Sequence, residues 1–252
     1  MVAEHPERVD DLYEVVASLN AHAHTAFKCV VFSDTILVYN VDGGDTPRDI
    51  SYLVMFMCEF TKDLMHRLTN RTIFFRAVIT KGHFKHYELN DMPCFYGSAL
   101  VRAHEAEKDI KAIGVFLDKN LAAHCDIFET TEFNRNFNFV YITQALNQIE
   151  FLSPPIRDGW YVDDTELNWN AGPELQHLID LLHASGSNFP ESVLQKYRNS
   201  IELYKKRYPK IIACLIQNNL NLNSIAPGAS WTPVIERHPE NFSFAIKKRL
   251  DF

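Results

Sequence analysis

Two short runs of β-branched and aromatic residues, AFKCVVF (26–32) and TILVYNV (35–41), stand two residues apart. A chain carrying that pair is committed to a β-hairpin with Ser33-Asp34 at its turn. A hairpin is antiparallel by construction, so the sheet it belongs to is expected to be at least partly antiparallel, with this hairpin at its middle. Before it, Pro6 suits a first helical turn, and Val9, Leu12, Val15, Val16 and Leu19 recur at helical spacing. An amphipathic helix over roughly 6–22 is predicted. After the loop DGGDTP (42–47), Ile50, Leu53, Val54, Met57, Phe60, Leu64 and Leu68 mark one face of a long second helix.

Thr72–Phe84 reads as a strand broken at Gly82, and residues 86–94 read as a polar, turn-rich connection containing Pro93. Ala99–Lys108 is helical in period, with Ser98 a suitable N-cap. Ala112–Asp118 has the continuous apolar character of a buried strand, and Asn138–Leu146 contains another. This order predicts an α+β fold, a mainly antiparallel sheet covered on one face by helices. Past Ser153-Pro154-Pro155 the periodicity is helical through LQHLIDLLHAS (175–185) and PESVLQKYRNSIELYKKRYPKIIACLIQNNL (190–220). Residues 1–153 are therefore read as one unit and 154–252 as a helical C-terminal extension packed on it, its apolar positions being too few for an independent core.

Composition narrows the function classes. A formal net charge of −7 leaves no general basic face for nucleic acid. The five cysteines are scattered, odd in number and without C-x-x-C spacing, which argues for a reducing cytosol rather than a disulfide framework or structural zinc. No apolar run reaches the ~18 residues of a bilayer span, so no direct membrane insertion is expected. Walker A, Rossmann and G-x-S-x-G patterns are absent from the sequence.

A few residues could carry chemistry. Asp34 at the hairpin mouth is either an Asx-type turn residue or a ligand for Mg²⁺, an ion commonly held by one or two carboxylates plus phosphate oxygens. Arg76 lies inside the apolar run FFRAVIT and needs a partner, either a triphosphate or a structural carboxylate. Lys28 shares a strand face with Val30, Phe32 and Asp34, which puts it either near base or phosphate or in solvent at a strand edge, and Lys81 is a weaker candidate for the same role. His22-x-His24 and His83-x-x-His86 lack a third zinc ligand at a recognisable spacing, and Asp42-Gly43-Gly44-Asp45 is read as a turn.

In order, the segments FKCVVFSDTILVY, FFRAVITKGHF, FYGSALVRAHEAEK and IKAIGVFLD give the chain a resemblance to class III nucleotide cyclase domains. Within that superfamily it is most similar to the bacterial pyrimidine cyclases of the Pycsar anti-phage system. Phe32-Ser33-Asp34-Thr35 resembles their FSDS-type hairpin, and Phe95 to Val101 resembles their FGPALVEAY-type helix entry. Glu191–Tyr204 resembles their helical tail.

The resemblance implies a ferredoxin-like cyclase domain acting as a cytoplasmic homodimer, with each site between two protomers. The implied activity is a lyase converting UTP or CTP to its 3′,5′-cyclic monophosphate as an antiviral second messenger. Two metal ions, Mg²⁺ or Mn²⁺, would activate the attacking 3′-oxygen and neutralise the triphosphate. Asp34 matches one metal aspartate, Lys28 and Arg76 are placed as triphosphate contacts, and Arg102 as the catalytic cation.

The chain departs from the family pattern in two places. The first strand and its F-x-D-type aspartate have no match, which is explained either by a start lying further upstream or by loss of catalysis. On the helix after Gly97, the positions where purine cyclases carry asparagine and arginine read Val101 and Glu105. Valine is similar to the pyrimidine-cyclase pattern, whereas Glu105 leaves Arg102 and Lys108 as the nearest cations. The alternative reading is a catalytically degenerate cyclase fold retained as a nucleotide sensor or dimerisation module.

Overall fold

A computed structural model describes residues 7–19, 26–69, 71, 73–157, 159 and 167–231. The first helix, α1 (Glu7–Ser18), is followed by the hairpin β1 (Phe27–Phe32) and β2 (Thr35–Asn40) and the long helix α2 (Pro47–Leu68). The expected continuation of α1 to residue 22, and His22 and His24, lie outside the described residues. Helix α2 starts where its sequence provides a reciprocal capping box: Thr46 accepts from the Asp49 amide and the Asp49 carboxylate accepts from the Thr46 amide, with Pro47 at the first turn.

Four strands form the central sheet: β3 (Arg76–Ile79), β6 (Gly114–Asp118), β7 (Thr130–Glu132) and β8 (Phe137–Val140), in the order β3-β6-β8-β7. The β3–β6 pair is parallel and the other two pairs are antiparallel, so the sheet is mixed. The expectation that the first hairpin sits in the middle of this sheet is corrected. β1 and β2 pair only with each other among the described residues. The hairpin is instead held by its side chains: Cys29, Val31, Ile36 and Val38 pack on the α1–α2 pair through Leu12, Val16, Phe60 and Leu64, and Phe27 stacks on Phe56 at 3.8 Å.

The polar stretch expected as a connection is a second hairpin, β4 (Lys85–Leu89) and β5 (Met92–Tyr96). Its turn residues Asn90 and Asp91 have φ of 50° and 62°, the paired left-handed conformation of a type I′ turn, which Asn and Asp tolerate. The two hairpins meet through Tyr39, whose ring lies 4.8 Å from Phe84 and 5.4 Å from His86. Helix α3 (Ser98–Asp109) follows, and its N-cap is Gly97 rather than Ser98. Gly97 has φ 149°, and a Cβ there would fall 2.1 Å from the His83 carbonyl oxygen, so no other residue fits. The Ser98 hydroxyl instead accepts from the His83 amide at 3.1 Å.

Helices cover both faces of the central sheet, not one as expected. All five residues of β6 are buried, and alternate side chains enter different cores. Val115 and Leu117 join Val140 and Ile142 against α2 residues Val54, Cys58 and Met65. On the other face, Phe116 and Phe139 pack with the helices after residue 145: α4 (Leu146–Leu152), α5 (Gly172–Ser185), α6 (Glu191–Arg207) and α7 (Pro209–Gln217). The C-terminal helices thus share one core with the sheet. Buried polar side chains fix their register. Ser200 accepts from the Ile113 amide at 2.7 Å, Tyr141 donates to the Leu203 carbonyl at 3.1 Å, and Tyr208 donates to the Thr143 carbonyl at 2.8 Å. Glu150 caps α7 by accepting from the Lys210 and Ile211 amides at 3.1 and 3.0 Å.

Glu174, wholly buried near the start of α5, bridges to α2. One carboxylate oxygen accepts from the Leu146 amide at 3.3 Å, and the other lies 3.7 Å from His66 and 3.8 Å from Lys62. Burial pushes its carboxyl up, and His66 and Lys62 oppose that push. One turn on, His177 packs between Phe74 and Tyr204, and burial, reinforced by His66, pushes it down to about 3. A histidine held neutral in the fold protonates more readily in the unfolded chain. Stability contributed by His177 is therefore full above pH 6.5 and lost as pH falls below it, by up to about 1.4 kcal/mol per pH unit. Denaturant melts of the wild type and His177→Gln between pH 7 and 5 are expected to show a shallower loss in the variant. Equal slopes would remove His177 from the acid response.

Candidate functional site

Helix α3 presents one face to an open cleft of about 720 Å³. Val101, Arg102, Glu105 and Asp109 form its helical wall, and Asn134, Asn136 and Phe137, from the turn into β8, form the opposite side. Residues four apart on a helix share a face, which is why Val101, Glu105 and Asp109 project together. The cleft is wide enough for a nucleotide-sized ligand.

Its electrostatics come from three charges on α3 and one beneath it. Arg102 pairs with Asp118 at 2.7 Å, the arginine being 42% exposed and the carboxylate 3%. Asp118 closes strand β6, and its second oxygen accepts from the Asn120 amide at 3.1 Å, starting the 3-10 turn Lys119–His124. Arg102 is thus anchored from below while its exposed part faces the opening. Glu105 and Asp109 carry no ion pair among the described residues. A polyphosphate entering here meets two carboxylates and one already neutralised arginine, so its approach requires a divalent cation between the negative groups.

Arg76 is held against α3 by the ends of its guanidinium, while its buried Nε has no hydrogen-bond partner among the described residues. Its guanidinium forms an ion pair with Glu107 of α3 and donates to the Ile110 carbonyl. Of the two partners anticipated for it, the structural carboxylate is the one found. Desolvation lowers its pKa from the ordinary guanidinium value. Arg76 and Arg102 therefore both serve the seam between α3 and the β3–β6 pair, each through one carboxylate.

Lys28 and Asp34 are elsewhere in the fold, on the first hairpin. Lys28 is exposed and opposite Tyr39. Asp34 is exposed at the turn, beside Ser33 at φ 56°, with no hydrogen bond or ion pair among the described residues. Lys28 shares its strand face with Val30 as expected, but the turn breaks the alternation before Asp34. Among the described residues no group of three or more His, Cys, Asp or Glu could hold a metal ion. His86 stacks on Phe95 at 4.9 Å and His83 lies 6.1 Å from Tyr96, so both histidines have aromatic neighbours.

Sequence reading did not single out Asp118, Glu107 and Asp109. The available signals were an aspartate ending an all-apolar strand and acids spaced at four on a helix already carrying Arg102, but the partners of Arg76 and Arg102 are remote in sequence. Among the described residues no helix is long and apolar enough to cross a membrane. No family model, curated protein or solved structure matches the chain.

If Arg76 is held by Glu107 for the fold, removing one partner strands the other's charge. Glu107→Ala is expected to destabilise by about 1–3 kcal/mol in urea melts, and Arg76→Met by less, because it removes the buried charge as well. A larger loss from Arg76→Met than from Glu107→Ala would contradict that assignment.

Proposed function

We propose that the chain is a nucleotide-binding protein of class III cyclase type, with the α3 cleft as its site, and that it senses a pyrimidine nucleoside triphosphate without turning it over efficiently. The observation that carries this reading is the α3 wall itself, where Arg102, Glu105 and Asp109 line a cleft of nucleotide size. Glu105 and Asp109 would hold Mg²⁺ or Mn²⁺, two carboxylates being a common protein share for such an ion, and the ion would supply positive charge against the triphosphate. Arg102 would meet a terminal phosphate from its anchored position on Asp118.

Binding without turnover is favoured because Glu105 occupies the position that the cyclase resemblance would give to the transition-state arginine. Losing a donor aimed at developing charge costs a cyclase about 10²–10³ in rate. The exposed apolar face of the second hairpin, with Tyr87, Leu89, Met92 and Tyr96 each about half exposed, supports the expected homodimer. Its acidic balance supports a small-molecule ligand over nucleic acid.

A second reading, catalysis of UTP or CTP cyclisation, rests on Asp34. Its carboxylate is exposed and carries no competing partner among the described residues, so it is free to take a metal at a site completed by a second copy. In that case Asp34 would hold a metal ion, which would supply charge for attack of the 3′-oxygen on the α-phosphate.

Calorimetry with each of the four nucleoside triphosphates plus Mg²⁺, alongside chromatographic detection of cyclic monophosphates, separates the readings. The sensor is expected to bind UTP or CTP, to lose about tenfold in affinity on Arg102→Ala, and to tolerate Asp34→Ala. Sustained formation of cyclic UMP or cyclic CMP that Asp34→Ala abolishes would establish the enzyme instead. Failure of all four nucleotides to bind, with and without metal, would reject the site.

A further inference from the structure

We propose that Cys58 and Cys125 form a peroxide-responsive dithiol that closes to a disulfide between α2 and the segment following the 3-10 turn. Cys58 is wholly buried on the sheet-facing side of α2, and half-buried Cys125 packs on the same apolar cluster with Phe128 and Leu121. An independent bond fixes this register: the Ser51 hydroxyl and His124 Nδ1 lie 3.4 Å apart. Ser51 and Cys58 are two helical turns apart on one face of α2, and His124 directly precedes Cys125. The helix and the turn thus meet at one point and carry their thiols against the same apolar cluster at the next.

The Cys58 and Cys125 thiols are neighbours, and the Cys125 thiol donates to the Phe128 carbonyl at 3.5 Å. The neighbouring Cys58 thiol favours the Cys125 thiolate and holds it below the ordinary thiol value, whereas the same contact, together with burial, pushes Cys58 well above it. Access and acidity coincide in one cysteine, which makes Cys125 the attacking group and Cys58 the resolving one. The other three cysteines lie on separate elements, Cys29 on β1, Cys94 on β5 and Cys214 on α7.

The oxidant is a hydroperoxide, and the chemistry balances in two steps. The Cys125 thiolate attacks one peroxide oxygen, the O–O bond breaks, and the departing hydroxide takes the thiol proton to become water. Cys125 is left as a sulfenic acid. The Cys58 sulfur then attacks the Cys125 sulfur, the S–O bond breaks, and the hydroxyl leaves as a second water with the Cys58 proton. Two thiols are oxidised by two electrons while one hydrogen peroxide is reduced to two waters. In a reducing compartment such a bond is transient and serves sensing rather than architecture. The disulfide would staple α2, which carries Lys62 and His66 at the Glu174 bridge, to the rim of β6.

The test exposes the full chain to hydrogen peroxide, blocks remaining thiols by alkylation, and maps peptides by mass spectrometry. The expected result is a peptide pair joining Cys58 to Cys125, lighter by two hydrogen atoms and released by dithiothreitol. Cys125→Ser is expected to abolish it, and Cys58→Ser to leave a dimedone-reactive sulfenic acid at Cys125. Circular dichroism confirms that each variant is folded, with Cys58→Ala as the replacement should serine disturb the core. A folded wild-type chain that forms no such cross-link, or that accumulates irreversibly oxidised Cys125 instead, would overturn the proposal.

Discussion

Strand β6 is the element on which the rest of the structure depends, because it is buried on both faces and flanked on both edges. Its five residues, Gly114 to Asp118, are all inaccessible. A strand with one solvated face would alternate polar and apolar residues, and this one cannot. Gly114 opens it at φ 125°, where a Cβ would strike the Phe139 ring at 2.6 Å, so the aromatic packing beside it requires glycine. Phe116 then faces the C-terminal helices while Val115 and Leu117 face α2. Truncating a buried phenylalanine of this kind costs about 3–5 kcal/mol, a large share of the stability of a domain this size.

From that strand the candidate site follows mechanically. Asp118 ends β6, is desolvated by the same packing, and must be paired; Arg102 of α3 pairs it. Arg76 enters the neighbouring strand β3 under the same constraint and is paired by Glu107, five residues further along α3. Two carboxylate–guanidinium contacts therefore set the orientation of α3 on the sheet, and with it the direction in which Val101, Glu105 and Asp109 face the cleft. Structural pairing and the lining of the cleft draw on the same few charges. For that reason Arg76 reads as architecture, whereas Arg102, though paired, keeps part of its guanidinium open to the cleft.

The other face is governed by buried polar groups rather than by the cleft. Glu174 sits in the core within reach of Lys62 and His66, and His177 is held neutral one turn away. The C-terminal helices are therefore joined to α2 by titratable groups as well as by apolar contact. Acid removes the contribution of His177, whereas the raised Glu174 carboxyl favours the protonated form and opposes that loss. The thiol pair lies on the opposite side of the sheet, so α2 carries a charged contact toward one core and a sulfur contact toward the other.

The sequence by itself determined the local elements wherever a strong period or a turn signal acted over neighbouring residues. Both strands of the first hairpin, the α2 and α3 helices, the buried strand β6 and the C-terminal helices lie close to where alternation, helical spacing and capping chemistry put them. It also announced that Arg76 needed a partner. The second hairpin escaped because its outer face carries Tyr87, Leu89 and Met92 among charged residues, which blurs the period of two, and Asn90-Asp91 lacks the glycine that usually marks such a turn. Only the tertiary structure decided that the first hairpin stands apart from the central sheet, that helices cover both of its faces, and which carboxylates meet Arg76 and Arg102. Strand pairing and ion pairing join residues tens of positions apart, and hydrophobic patterning carries no record of which distant partner a strand edge or a buried charge will find.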